Sequence, residues 1–72
     1  MNKIELTKEP TELYKILKFE GLVGSGGEAK MVIASGHVLL NGQVETQKRK
    51  KIMSGDTIEL GGEVFSIQLI NK

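Results

Sequence analysis

Apolar residues recur in one rhythm through the first half of the 72-residue chain and in another through the second. A brief alternation, Lys3-Ile4-Glu5-Leu6, predicts a short strand. Thr7 to Pro10 then reads as a helix start, with Pro10 in the first turn, where a missing N–H costs nothing. Leu13, Ile16 and Leu17 fall at i, i+3, i+4 and make one buried stripe, with Lys15 and Lys18 on the solvated side. Gly21 and Gly24 end that helix and open a loop. A second helix begins at Ser25, because Glu28 stands at the spacing of a capping box. Ala29, Val32 and Ile33 repeat the stripe, and Gly36 sits where a left-handed cap is needed.

Beyond Gly36 the period shortens to two. His37–Leu40 and Gln43–Glu45 flank Asn41-Gly42, a pair suited to the positive φ angles of a tight hairpin turn. Thr46–Lys51 is polar, basic and without period, and Ser54-Gly55-Asp56 reads as a turn. Thr57–Leu60 and Glu63–Ile70 flank Gly61-Gly62 as a second hairpin, with Ile58, Leu60, Phe65, Ile67 and Leu69 at alternate positions. The expected architecture is α+β: two short packed helices followed by a small, mostly antiparallel sheet, in one domain spanning residues 1–72. Tyr14 and both phenylalanines are assigned to its core.

Composition removes several chemistries. A chain of this length buries about 60% of the surface its unfolded form exposes, so it has room for one small core and little volume for a pocket. Without cysteine it has no disulfide, no thiolate nucleophile and no sulfur-based zinc site. His37 is the sole histidine, which excludes multi-histidine metal sites and paired catalytic histidines. Neither a P-loop lysine nor a nucleophile-elbow serine occurs, so no catalytic residue, metal ligand, cofactor or small-molecule substrate is assigned. No apolar run approaches the roughly 20 residues of a membrane span, and the first residues lack a signal-peptide pattern. The expected location is the cytoplasm.

Charge is unevenly spread. Lys30 to Lys51 holds five basic residues and one acid, Glu45, whereas the remainder carries five basic and eight acidic residues. That asymmetry points to an anionic partner for the basic segment. Three features supply candidate contacts. Lys48, Arg49, Lys50 and Lys51 combine lysine point charges with a planar guanidinium, both suited to phosphate oxygens. Ser25, Gly26 and Gly27 open a helix whose N–H groups a phosphate could approach closely. Lys30 lies beside the apolar stripe of the second helix, with His37 and Gln43 as neighbouring polar candidates. No aromatic platform for unpaired bases is visible. A competing reading is a protein-interaction module that uses the basic loop or an exposed sheet edge to hold a protein partner.

These residues also carry a resemblance. Ser25-Gly26-Gly27-Glu28-Ala29-Lys30, Gly36-His37-Val38-Leu39-Leu40-Asn41-Gly42-Gln43-Val44 and Gly55-Asp56-Thr57-Ile58 resemble the RNA-binding module first named from small-subunit ribosomal protein four, the alpha-L motif. Pseudouridine synthases, tyrosyl-tRNA synthetases and a ribosome-binding heat-shock protein carry the same module. The likeness spans roughly residues 11–60, and the stand-alone length is similar to that of the YbcJ-like and YaaA-like small proteins. It implies a non-catalytic protein whose two helices and basic loop bind structured RNA, ribosomal RNA or tRNA. Ser25, Lys30 and Lys48–Lys51 would face the RNA. Gly36, Val38, Asn41, Gly42, Gly55 and Asp56 would be structural. Gly26-Gly27 depart from the Arg-Ser that the family often places there, so one side-chain contact is lost.

Overall fold

The computed structural model describes residues 2–70. Its elements run β1 (Asn2–Leu6), β2 (Thr11–Glu12), α1 (Leu13–Phe19), α2 (Gly26–Ala34), β3 (Val38–Leu40), β4 (Gln43–Val44), β5 (Lys51–Ile52), β6 (Thr57–Leu60) and β7 (Glu63–Leu69). Five strands form a sheet in the order β1-β7-β6-β3-β4, and β2 pairs separately with β5. Two helices against a mostly antiparallel sheet is the α+β arrangement expected above. One feature of the sheet is non-local. β1 runs parallel to β7, with Ile4 opposite Ile67, so the start of the chain is stitched to its end.

α1 starts later than its sequence pattern predicts. Pro10 is not in a helical turn: it follows a cis Glu9–Pro10 bond in a bend that leads into β2. The Glu9 carboxylate anchors that bend by accepting the Ser54 N–H at 2.8 Å. The helix begins only where β2 leaves β5, at the extended residue Glu12. Its stripe is nevertheless the expected one, since Leu13, Ile16 and Leu17 are all buried. Phe19 is not in the core. It lies 200° around the helix from Leu17 at about 100° per residue, and 70% of it is exposed.

α2 is closed at both ends as its sequence predicts. The Ser25 hydroxyl accepts the Glu28 N–H at 3.1 Å. The Glu28 carboxylate reaches back one residue beyond the usual box, accepting the Gly24 N–H at 2.6 Å. At the other end Gly36 takes φ +81°, and the Gly36 and His37 N–H groups donate to Ile33 and Val32 carbonyls, a Schellman closure. The β3–β4 turn has Asn41 at φ +52° and Gly42 at +85°, as a type I′ turn requires.

Both layers share one core. Ile4 and Leu6 of β1, Ala29 and Ile33 of α2, Ile52 of β5, Ile58 of β6 and Phe65 and Ile67 of β7 join the α1 stripe in one buried cluster. Tyr14 packs at its edge, half-buried. The two-residue β5 therefore has two roles: Ile52 enters the core while Lys51 is left at the surface.

Candidate nucleic-acid interface

The basic segment is built into the fold by its backbone. Lys51 pairs with Glu12 across β2 and β5. Immediately before it, the carbonyls of Lys50 and Lys48 accept the N–H groups of Leu13 and Tyr14 at 3.0 and 3.1 Å. Helix starts leave such donors without intrahelical partners, and here the loop supplies the acceptors. The Gln47 carbonyl accepts the Lys50 N–H, and the Glu45 carboxylate accepts the Gln47 N–H at 3.0 Å. All the polar groups that fix the loop are thus backbone atoms or Glu45. The four cationic side chains are exposed and free of that duty.

Three of those side chains can be placed against named neighbours. Lys50 and Lys51 line a groove of about 650 Å³ together with Gln43, Val44 and Met53. Arg49 and Lys51 also lie close enough to Glu12 for their charges to act on its carboxyl. That carboxyl is held below its ordinary value of 4.5, first by the hydrogen bond from Lys15; desolvation opposes this next, and the charges of Lys15, Lys51 and Arg49 add smaller lowering effects. The Lys15 ammonium sits 3.2 Å from it.

Tyr14 links the loop to α2. Its N–H holds the Lys48 carbonyl, and its ring faces the Lys30 ammonium 4.9 Å from the ring centre. A cation over an aromatic face is attracted by the ring quadrupole. That contact seats the Lys30 ammonium on the Tyr14 ring and leaves Lys30 partly exposed. The Ser25–Gly27 mouth lies at the start of the same helix, and a side chain at Gly26 would meet the Lys18 stem at 3.8 Å. Lys18 stands one turn beyond Tyr14 on α1. Tyr14 thus forms a path from Lys30 to the Lys48 backbone, and Lys18, one turn along α1, borders the mouth. Glu28 places a carboxylate at the mouth itself, where it occupies the Gly24 donor that an anion would use.

The remaining candidates lie apart from that path. Gln43 is exposed on β4 and borders the groove with Lys50. His37 is exposed just past the C-terminal end of α2, the opposite end from Ser25, and the helix separating them is about 13 Å long at 1.5 Å per residue. Sequence reasoning missed Lys15, Tyr14 and Glu12 as parts of this surface. The spacing could have shown them: Lys15 is an i, i+3 neighbour of Glu12, and Tyr14 has Leu17 at i+3 and Lys18 at i+4. What the local pattern did not carry was the β2–β5 pairing that brings the loop to them.

The family model described as the S4 domain matches residues 4–68. The chain belongs to the S4 domain family. Among curated relatives it is 44% identical over 71 residues to "Putative RNA-binding protein YbcJ" of Escherichia coli, covering 97% of this chain and 99% of that protein. It is 31% identical over 70 residues to "Probable ribosome maturation protein RlbA" of Bacillus subtilis, covering 97% of both. The solution structure of Escherichia coli YbcJ, described as revealing an alfaL motif involved in RNA-binding, superposes with a TM-score of 0.69 at 43% identity. That match covers 93% of this chain and 86% of the other. The S4 assignment agrees with the arrangement seen here, in which α1, α2 and the loop after the first hairpin converge. Among the described residues, no cluster of three or more potential metal ligands occurs, and no helix is long and apolar enough to cross a membrane.

Proposed function

We propose that this S4 protein binds folded RNA without catalysis, through phosphates and shape, and that ribosomal RNA is its target. One observation carries the reading: the 47–51 loop is pinned by its carbonyls to the start of α1, beside a Lys30 held on Tyr14. Lys30, Lys48, Arg49 and Lys51 then form a cationic surface backed by a fixed scaffold, while Lys15 is paired with Glu12. A-form RNA has a major groove too deep and narrow for side chains, so such a surface meets phosphates and 2′-hydroxyls. The names of the two curated relatives, one RNA-binding and one in ribosome maturation, support the choice of ligand.

Ser25, Gly26 and Gly27 extend the interface at its α2 end, and Lys50 with Gln43 extends it at the β4 end. His37 stands at the end of α2 opposite Ser25, next to Val38, whose carbonyl accepts the Glu45 N–H, and no phosphate contact is assigned to it. The test is a binding titration of a fluorescent ribosomal RNA hairpin with the protein and with a variant carrying alanine at positions 48–51. Loss of most affinity with an unchanged circular dichroism spectrum is the expected result. Undiminished binding would reject the interface, and unfolding would show that the cations are structural.

A second reading rests on the groove beside β4, where exposed Val44 and Met53 flank Lys50 and Lys51. An acidic peptide could add there as an edge strand. Competition separates the two: total RNA displaces the protein from an immobilised acidic peptide if RNA is the ligand.

A further inference from the structure

Phe19 presents an aromatic ring that the fold leaves bare. It follows Lys15 by one helical turn, so the two side chains share a face of α1. Beside that face is a hollow of about 350 Å³ bordered by Lys8, Pro10, Glu12, Lys15, Phe19 and Lys51. This is near the lower end of the range, about 300–1,000 Å³, found for small-ligand sites. The ring also borders a smaller hollow of about 170 Å³ shared with Leu6 and Ile16. Phe19 therefore stands as a plate between two recesses, with Lys8 bordering both and Lys15 and Lys51 only the larger.

The walls are chemically sorted. Lys8, Lys15 and Lys51 offer three ammonium groups, yet the Glu12 carboxylate sits among them, 3.2 Å from Lys15. A phosphate entering the hollow itself would meet that carboxylate, so anionic groups are favoured at the rim. The interior suits a flat group with N–H or O–H donors that can lie on Phe19 while a donor meets Glu12. A nucleobase has the flat face and the donors, its ribose adds a 2′-hydroxyl, and its flanking phosphates match the lysine rim. The position of Phe19 also fits this occupant, because Lys51 belongs both to the hollow and to the cationic loop. A duplex lying on Lys48–Lys51 brings a neighbouring unpaired nucleotide within reach of Phe19.

We infer that the hollow beside Phe19 is a site for one unpaired nucleotide next to an RNA helix, with the base stacked on the ring. The inference rests on the RNA-binding reading above and adds to it a preference between RNA shapes. Alanine substitution of aromatic plates that stack bases costs a factor of about 5 to 150 in affinity. The bound RNA therefore contains a bulge, a loop or a frayed end.

The experiment uses the full chain and two RNA hairpins of the same stem, one fully paired and one with a single bulged 2-aminopurine. The bulged hairpin should bind about 5- to 150-fold more tightly, with a fall in 2-aminopurine fluorescence as the base stacks. Phe19→Ala should remove both effects and leave affinity for the paired hairpin within about twofold, because only the stacking plate is lost. Phe19→Trp should retain them. As Phe19 is 70% exposed, neither change disturbs the core, and circular dichroism checks that. Lys8→Ala, outside the basic loop, should weaken the bulged complex alone. Equal binding of both hairpins, or a Phe19→Ala variant that still discriminates or weakens both alike, overturns the nucleotide site while leaving RNA binding intact. If the wild-type protein binds neither hairpin, the RNA-binding reading and this site fall together.

Discussion

Replacing Lys48 and Arg49 together by alanine gives the most quantitative check on the cationic surface. Among the described residues, Lys30 and Lys48–Lys51 have no side-chain ion pair, whereas Lys15 is paired to Glu12; with Lys50 assigned to the β4 groove, Lys30, Lys48, Arg49 and Lys51 make four contacts. Each phosphate they neutralise releases counterions, contributing about −0.7 to −0.9 to the slope of log affinity against log salt. Four contacts give a slope of about −2.8 to −3.6, which is a loss of about 50- to 150-fold between about 50 and 200 mM salt. Removing two contacts halves the slope to about −1.4 to −1.8, and the loss over the same interval shrinks to about 7- to 12-fold. Fluorescence anisotropy of a labelled ribosomal RNA hairpin, repeated at four salt concentrations, measures both slopes. The variant should fold normally, because position 48 holds Tyr14 through its carbonyl and that carbonyl survives the substitution. A slope identical in the two proteins would show that Lys48 and Arg49 touch no phosphate. A slope near zero in both would remove the electrostatic basis of the reading.

Tyr14→Leu should weaken RNA binding about 2- to 5-fold with little change in salt slope, because it frees Lys30 from its ring without deleting the charge. Asn41→Ala should cost about 2–4 kcal/mol in urea unfolding, since it forces a left-handed φ on alanine and removes the amide bonds to Asp56 and Thr57. Asn41→Gly keeps the turn geometry and should cost less. Leu17→Ala, at a fully buried position, should cost about 2–5 kcal/mol, a large share of the stability of so small a domain. Glu12 sets a pH dependence: its folded carboxyl titrates below 4.5, so its stabilising effect is present above that value and fades as pH falls through the folded one. The difference in melting temperature between the wild type and Glu12→Gln should therefore narrow on acidification below pH 4.5.

α2 and the two hairpins were legible in the sequence because their signals are local. Ser25, Glu28 and Gly36 mark the ends of α2 within a dozen residues, and Asn41-Gly42 and Gly61-Gly62 dictate turns by backbone conformation alone. The start of α1 was not legible. Pro10 suits a first helical turn on propensity, but β2 and β5 are two residues each, too short to show a period, and their pairing decides where the helix begins. The parallel partnership of β1 with β7 is hidden for the same reason, since nothing near Ile4 announces Ile67. Within the candidate site, the cationic run, Lys30 and the mouth of α2 were readable as residue types. Their relation to Tyr14, Lys15 and Glu12 required the fold. Phe19 was misplaced by composition, as apolar residues default to the core, although its angle to Leu17 on the helical wheel places it outside.

The atoms that clamp residues 48 and 50 to α1 are ones that every amino acid possesses. Those two positions can accept almost any side chain without loosening the molecule, so ligand preference can drift or be redesigned there at little structural cost. Ile52 has no such freedom, being sealed in the interior two residues further on. The protein thus keeps its adjustable surface and its fixed interior side by side, separated by the single residue Lys51, and a library randomised at 48–50 should yield folded proteins of altered RNA choice.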